Sequence, residues 1–275
     1  MHRVLDRQLA NQNPPGLCAL AIMTKAPRAG SVKTRLQPPL TPAEAAELNI
    51  CFLRDIAEAI AVACSSDPGR GGKRIAADKA LVPTKIARGI GVFTPAGSEK
   101  EYANILPLDF DLLPQRGSGF GERLLNAAED LLRSGFESCC LINSDSPTVT
   151  ADAFREAVTQ LQWDDERIVL GPADDGGYYL IGMRKLHGRL FDEIDWSTGR
   201  VFAQTVERAQ ELRVRVHTLP TFFDVDDRAT LHRLCEELLG KELCEPVAPA
   251  TGKFLKDMIA REGRDRIWPV RTRHR

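Results

Sequence analysis

Two kinds of apolar run alternate along the chain. Short continuous runs at 17–23, 90–93, 138–142, 168–170 and 178–181 suit strands buried on both faces of a sheet. A weaker run at 110–113, and Val214, Val216 and Leu219, mark two further strands. Between these runs the apolar residues recur at helical spacing. Leu48, Cys51, Phe52, Ile56, Ile60 and Ala63 mark one helix. Thr41-Pro42-Ala43-Glu44 opens it with a capping threonine, a proline suited to the first helical position and a capping-box glutamate. Further helices are predicted over 122–132, on Phe154, Val158 and Leu161, over 201–212, and on Leu231, Leu234, Cys235 and Leu238, closed by Gly240.

Strands that alternate with helices predict an α/β fold, a mostly parallel sheet covered by helices on both faces. In such sheets ligands bind beyond the carboxyl ends of the strands, so the segment after each apolar run is where chemistry is sought. Residues 1–16 are polar and read as a flexible N-terminal arm, 17–255 as one α/β domain, and 256–275 as a basic, solvated tail. Residues 66–87, rich in Gly, Lys and Arg, read as a surface loop with a short strand at 75–77.

Composition narrows the classes. The 275 residues carry a net charge of −1, so no whole-chain field draws the protein to nucleic acid or anionic lipid. Any anion site must then be a local cluster of bases. No run approaches about 20 consecutive apolar residues, so no membrane span is expected. The seven cysteines form no Cys-x-x-Cys pair and mostly sit in apolar runs, which points to free thiols in a reducing, cytoplasmic setting. The five histidines lack metal-ligand spacing, which argues against zinc. No Gly-x-Ser-x-Gly elbow is present, which argues against a serine hydrolase. Trp163 and Trp268 read as packing residues.

Five segments remain as candidate chemistry. Residues 24–36 follow the first strand and place Lys25, Arg28, Lys33 and Arg35 around Pro27 and Gly30. A polyphosphate needs such a loop: backbone amides approach it where Gly30 removes bulk, and the cations neutralise it. A solvated basic loop is the plain alternative. The order of residues is neither a Walker A loop nor a dinucleotide fingerprint. Asp145, in Asn143-Ser144-Asp145-Ser146-Pro147, ends a buried strand, where a carboxylate suits Mg²⁺ or Mn²⁺. An Asx-turn before Pro147 is its alternative. In Asp224-Val225-Asp226-Asp227, Asp224 and Asp226 share one side of an extended segment and qualify as metal ligands, while Asp226 or Asp227 qualifies equally as a helix cap. In Gly171-Pro172-Ala173-Asp174-Asp175-Gly176-Gly177, the glycines let backbone approach a substrate with Asp175 oriented toward it, or the segment is an ordinary hairpin turn. In Gln115-Arg116-Gly117-Ser118-Gly119, Gln115 has the donor and acceptor needed to read a base edge, or the segment is a flexible turn.

Taken in order, these pieces resemble a known family. Lys25-Ala26-Pro27-x-x-Gly30-x-x-Lys33-Thr34-Arg35-Leu36, Asp145-Ser146-Pro147, Gly171-Pro172-Ala173-x-Asp175-Gly176-Gly177-Tyr178-Tyr179, Trp196-Ser197-Thr198 and Asp224-Val225-Asp226 resemble the motifs of bacterial GT-A-type glycosyltransferases, some linked with arsenosugar biosynthesis. That family sits in the nucleotide-diphospho-sugar transferase superfamily, beside the 2-phospholactate guanylyltransferases. The resemblance implies a GT-A-like, Rossmann-like fold. It implies that Lys25, Lys33 and Arg35 hold nucleotide phosphates, that Asp145 and Asp226 hold the metal, that Gln115 and Gly117 lie near the base, and that Asp175, Gly176, Gly177 and Trp196 face the sugar or acceptor. Lys33, Asp145 and Asp175 are the expected catalytic residues. The chain departs from the pattern in its 66–87 segment and in lacking the Asp-x-Asp pair of many GT-A glycosyltransferases. The expected partners are a nucleotide-sugar or a nucleoside triphosphate, and a small-molecule acceptor. Glycosyl transfer from a nucleotide-diphospho-sugar leads, nucleotidyl transfer with release of pyrophosphate is the alternative, and a catalytically inactive nucleotide-binding protein is the third reading.

Overall fold

The computed structural model describes residues 1–65, 86–240 and 247–269. The strand expected at 75–77, Cys244 and the end of the basic tail lie outside them. Among the described residues seven strands form one sheet: β1 Cys18–Lys25, β2 Ala87–Thr94, β3 Asp111–Pro114, β4 Ser138–Ile142, β5 Arg167–Pro172, β6 Tyr178–Met183 and β7 Arg215–Thr218. Their spatial order is β3-β2-β1-β4-β6-β5-β7. Every neighbouring pair is parallel except the two made by β6, which runs against β4 and β5. The carboxyl ends of β1 and β4 and the turn that feeds β6 therefore share one rim.

Among the described residues there are six α-helices, four between strands, α1 Pro42–Cys64, α2 Phe120–Arg133, α3 Ala151–Leu161 and α4 Val201–Glu211, and two after β7, α5 Arg228–Leu239 and α6 Pro249–Glu262. The alternation of side chains along the strands decides which helix covers which face. Leu20, Ile22, Cys140 and Ile142 pack with Leu53, Ile56 and Ile60 of α1 and Phe154 and Val158 of α3. Ala19, Ala21, Cys139 and Leu141 turn the other way, against Leu124, Ala127 and Leu131 of α2 and Ala209 of α4. The capping box read from Thr41 and Glu44 is formed. No described helix is long and apolar enough to cross a membrane.

Both ends of the chain differ from expectation. The arm at 1–16 is docked on the open edge of β3: Leu5 N donates to Leu112 O at 2.8 Å and Leu112 N to Arg3 O at 2.8 Å. His2 and Leu5 are buried, and the Arg3 guanidinium pairs with Asp111. The physical reason is that an edge strand leaves a row of unpaired backbone groups, which the arm satisfies. At the other end, the boundary drawn at 255/256 falls inside α6. Phe254, Leu255 and Met258 bury one stripe of that helix in a third core cluster with Leu48 and Phe52 of α1 and Leu231 and Leu234 of α5. Trp268 packs on this cluster, whereas Trp163 stands 58% exposed, with the Arg167 guanidinium 5.3 Å from its ring centre.

Candidate active site

The turn after β1 carries the basic cluster to the rim. Gly30 has φ +75°, a left-handed conformation natural to glycine, and Lys33 is held in the same region at φ 48°. That places the Lys33 side chain inward, with only 4% of it exposed. Its Nζ lies 2.6 Å from Asp145 Oδ1 and 3.1 Å from Asp226 Oδ1, and donates to Val225 O at 2.7 Å. Burial pulls the Lys33 ammonium toward neutrality, but the two carboxylates outweigh it and raise its pKa. Asp145 and Asp226, distant in sequence, thus converge on one cation opposite the β1 turn.

Backbone bonds hold that convergence. Asp145 follows β4, and its carbonyl accepts from Val225 N at 2.9 Å. The segment reaches Val225 by running beside β5, with Phe222 N donating to Pro172 O and Asp174 N donating to Phe222 O. The two readings of the acidic run divide between its members. Asp227 caps α5, accepting from Thr230 N at 2.9 Å, while Asp226 faces Lys33. The Asx contact expected of Asp145 belongs instead to Asn143, whose Oδ1 accepts from Asp145 N at 3.3 Å. Asp224 Oδ1 accepts from Asn143 Nδ2 at 2.8 Å and from the Ser146 hydroxyl. Burial pushes the Asp224 carboxyl up to about 6, with the charges of Asp145 and Asp226 adding to the shift against those two hydrogen bonds. Asp224 is therefore tied into the loop structure, and Asp226 is the member placed beside Asp145.

Two cavities meet at this point. The first, about 260 Å³, is lined by Lys25, Ser31, Lys33, Thr34, Arg35, Asn49, Ser144, Asp145 and Asp226. The second, about 500 Å³, has an aromatic wall of Phe120, Tyr178 and Trp196, with Asp175, Asn143 and Asp224 at its polar side. Arg35, Ser144, Asp145 and Asp226 border both. The Trp196 ring stands edge-on to Phe120, with centroids 5.2 Å apart, and edge-on to Tyr178 at 6.5 Å. It fits because α2 has glycine at position 121. A Cβ there would come 2.5 Å from Trp196 Nε1.

The turn at 173–177 is a hairpin connection between β5 and β6, as its Asp-Gly signal also allowed. Asp175 is exposed and borders the second cavity, and its Oδ1 accepts from Gly177 N at 2.8 Å. Gly176 has φ +90° and packs so closely on Gly199 that a Cβ would come 2.2 Å from the Gly199 carbonyl oxygen. This contact fixes the loop that carries Trp196 beside the hairpin.

Four expected residues line neither cavity: Gly30 and Gly176, which shape the turns described above, and Gln115 and Gly117. Gln115 Nε2 donates to Thr24 O at 3.0 Å and to Val92 O at 2.8 Å, so its amide joins the ends of β1 and β2 and is not free to read a base. Gly117, at φ +110°, serves the turn that starts α2, where Glu122 accepts from Ser118 N at 2.7 Å and Asn126 donates to Arg116 O. Asn49 of α1, by contrast, lines the first cavity and was not singled out in the sequence.

Among the described residues no group of three or more His, Cys, Asp or Glu side chains is placed to hold a metal ion. The pair of half-exposed carboxylates on Asp145 and Asp226, already converging on a cation, is nevertheless a donor set that fits Mg²⁺ or Mn²⁺. Such ions commonly take one or two carboxylates and complete their shell with substrate phosphate and water.

Sheet order, the antiparallel β6 and the rim of acidic and basic residues together define an α/β protein of GT-A-like fold. Residues 81–198 match the family described as "Uncharacterized protein conserved in bacteria (DUF2064)". The chain is similar to the crystal structure of a candidate nucleotide-diphospho-sugar transferase from Desulfovibrio desulfuricans G20. The two are 27% identical, with a TM-score of 0.71, over 91% of this chain and 99% of the other. A homologue of a Mycobacterium tuberculosis protein, from Mycobacterium sp. strain JC1, is 18% identical over 80% of this chain and 96% of its own, with a TM-score of 0.44. A cytidylyltransferase from Leptospira borgpetersenii is 10% identical over 95% of this chain and 100% of its own, with a TM-score of 0.48. Neither of these two likenesses is close enough to bear on function. No curated protein matches the chain in sequence.

Proposed function

We propose that the protein is a metal-assisted transferase acting on a nucleotide-activated donor, with a nucleotide-diphospho-sugar as the leading donor class. The observation that carries this reading is the meeting of the two cavities at Asp145 and Asp226. One cavity is lined by hydrogen-bond donors and cations, as a polyphosphate requires, and the other is walled by aromatic rings, as an acceptor with apolar faces requires. The similarity to the D. desulfuricans protein, by the name it carries, supports the sugar-nucleotide donor.

In this reading Lys25, Lys33 and Arg35, with the Ser31 and Thr34 hydroxyls, hold the phosphates. Asp145 and Asp226 hold Mg²⁺ or Mn²⁺, which when bound supplies positive charge to the phosphate leaving group. Lys33 then has two tasks. In the free protein it neutralises the carboxylates, and with donor present its ammonium turns to the phosphates, where charge develops as the bond to the leaving oxygen breaks. Trp196, Phe120 and Tyr178 seat the acceptor, with Asp175 and Gly177 at its edge.

The second reading, nucleotidyl transfer, rests on the density of cations at the β1 turn, which also suits a triphosphate. One experiment separates them. The protein is incubated with Mg²⁺ and either sugar nucleotides or nucleoside triphosphates, and thermal stabilisation and products are read together. Selective stabilisation by sugar nucleotides with release of a nucleoside diphosphate supports the leading reading. Stabilisation by triphosphates with release of pyrophosphate replaces it with the second. Binding without turnover over an acceptor panel assigns a nucleotide-binding role, and absence of any stabilisation removes all three.

A further inference from the structure

The second cavity differs from the first in the sign of its charge. Four carboxylates border it, those of Asp145, Asp175, Asp224 and Asp226, against one cationic side chain, Arg35, which it shares with the first cavity. Asp145 and Asp226 face Lys33, and Asp224 accepts from Asn143 and Ser146. Asp175 stands apart from these pairings. Its Oδ1 takes the Gly177 amide, its Oδ2 accepts no hydrogen bond, and it makes no ion pair among the described residues. The apolar side of the cavity is a corner and not a flat face. The Trp196 ring is turned 70° from Phe120 and 81° from Tyr178, with centroids 5.2 Å and 6.5 Å away. Rings set nearly at right angles can meet a guest from more than one side. Local structure is strained to hold them. Phe120 is 55% exposed, a glycine at 121 stands in the helix where a Cβ would strike Trp196, and Ser197, next to Trp196, has φ 65°.

We infer that the second cavity receives the cationic group of an organic acceptor, an alkylated ammonium held in the corner of Trp196, Phe120 and Tyr178 with Asp175 as its counter-charge. Ring faces attract cations through their quadrupole, most strongly where an indole takes part and water is displaced. Alkyl groups on the nitrogen add apolar surface that the rings can cover, which a bare ammonium or an inorganic ion lacks. The volume, about 500 Å³, is also that of a site for an organic molecule. An anionic group in the same place would meet Asp175 and Asp224 with only Arg35 to offset them. A neutral apolar group would use the rings and gain nothing from the unpaired carboxylate of Asp175. That the molecule is the acceptor rests on the proposed transferase reading, whereas the preference of the cavity for a cation stands on its lining.

The test uses the full chain and two probes of the same shape at matched ionic strength: choline, and the alcohol in which a tert-butyl group replaces its trimethylammonium. Affinities are measured by ligand-observed NMR titration of the wild type, Trp196→Leu and Asp175→Asn. The expected result is choline binding about tenfold or more tighter than the neutral alcohol in the wild type. Trp196→Leu should bring choline close to the affinity of the alcohol. Asp175→Asn, which keeps the oxygen that accepts from Gly177, should weaken choline about three- to tenfold and leave the alcohol unchanged, and it serves if the leucine variant does not fold. Equal binding of the two probes to the wild type overturns the inference, because the cavity then reads shape and not charge. Failure of both probes to bind overturns it as well, and so does a choline preference that survives both substitutions, since the cation then sits elsewhere. Thermal melting with Mg²⁺ and pyrophosphate, run beside these titrations, tests the phosphate site separately. Loss of that response with the choline preference intact removes the transferase reading and keeps the cation site, and the reverse result keeps the transferase reading and removes the cation site.

Discussion

Lys33 Nζ lies 2.6 Å from Asp145 Oδ1, and the same nitrogen reaches Asp226 Oδ1 at 3.1 Å. A lysine so placed occupies the position between two carboxylates that a divalent cation would take. Lys33→Met is therefore expected to lower the melting temperature of the metal-free protein, because Asp145 and Asp226 are left facing each other without a counter-charge. Mg²⁺ or Mn²⁺ alone should restore it, giving a larger metal-induced shift than in the wild type. Equal metal response in the two proteins would argue that the carboxylates do not form a cation site. Turnover, once a donor is identified, should fall about 10²–10³-fold in Asp145→Ala, as for loss of one charge-stabilising contact.

The wall of the second cavity depends on a missing side chain. Gly121 lies under the Trp196 ring, and a Cβ there would come 2.5 Å from its Nε1. Gly121→Ala should displace the ring from its edge-on contact with Phe120. Intrinsic fluorescence should red-shift as Trp196 becomes more solvated, and acceptor KM should rise while donor affinity stays near the wild-type value. A spectrum identical to that of the wild type would show that the ring tolerates the methyl group.

The pattern of the chain made the alternation of strands and helices legible, because each buried strand is a continuous apolar run and each helix an apolar stripe. It also exposed the β1 turn and Asp145, since charge placed directly after an apolar run is visible without coordinates. Other features are set by tertiary pairing that the pattern does not carry. The arm at 1–16 looks polar, yet His2 and Leu5 are buried along the edge of β3, which needs backbone partners, and Asn13 is buried further on. Gln115 has the chemistry of a base reader and spends it on Thr24 O and Val92 O. Asn49 left a faint signal, an amide among core-facing positions of α1 beside Leu48 and Phe52, which is overlooked when only apolar residues are used to draw the stripe. Helix α6 was hidden by the basic residues that share its turns, although Phe254, Leu255 and Met258 recur at the spacing of a buried face.

Acid should loosen the start of α1. Burial raises the affinity of the Glu44 carboxyl for its proton, but the Arg266 guanidinium at 2.5 Å and the bonds from Thr41 prevail and hold its pKa at about 2. A carboxyl depressed in the folded state stabilises the protein above its unfolded value of 4.5, and that contribution is lost as the pH falls from there toward 2. Glu44→Gln should cost about 1–3 kcal/mol in urea denaturation at pH 7, allowing for solvent around the pair. The gap to the wild type should narrow steadily between pH 4.5 and 2. A gap that stays constant with pH would assign the loss to the helix cap and not to the charge.

The docking of α6 turns on one buried carboxylate. Asp55, on α1 and 5% exposed, accepts from Ala250 N and Thr251 N, both at 2.8 Å, and so satisfies two amides in the first turn of α6. The N-terminal residue of that helix, Ala248, offers no side-chain cap, so the acceptors come from the neighbouring helix. Asp55→Ala leaves both amides unpaired, that of Thr251 fully buried, and should destabilise the fold by about 2–3 kcal/mol. Asp55→Asn keeps one carbonyl oxygen and should recover part of that loss. The order alanine, asparagine, aspartate in urea midpoint is the expected result, because it follows the number of acceptors facing the two amides. If asparagine were as harmful as alanine, the negative charge at the positive end of α6 would be the larger contribution, and if neither variant differed from the wild type, the helix would be held by Phe254, Leu255 and Met258 alone.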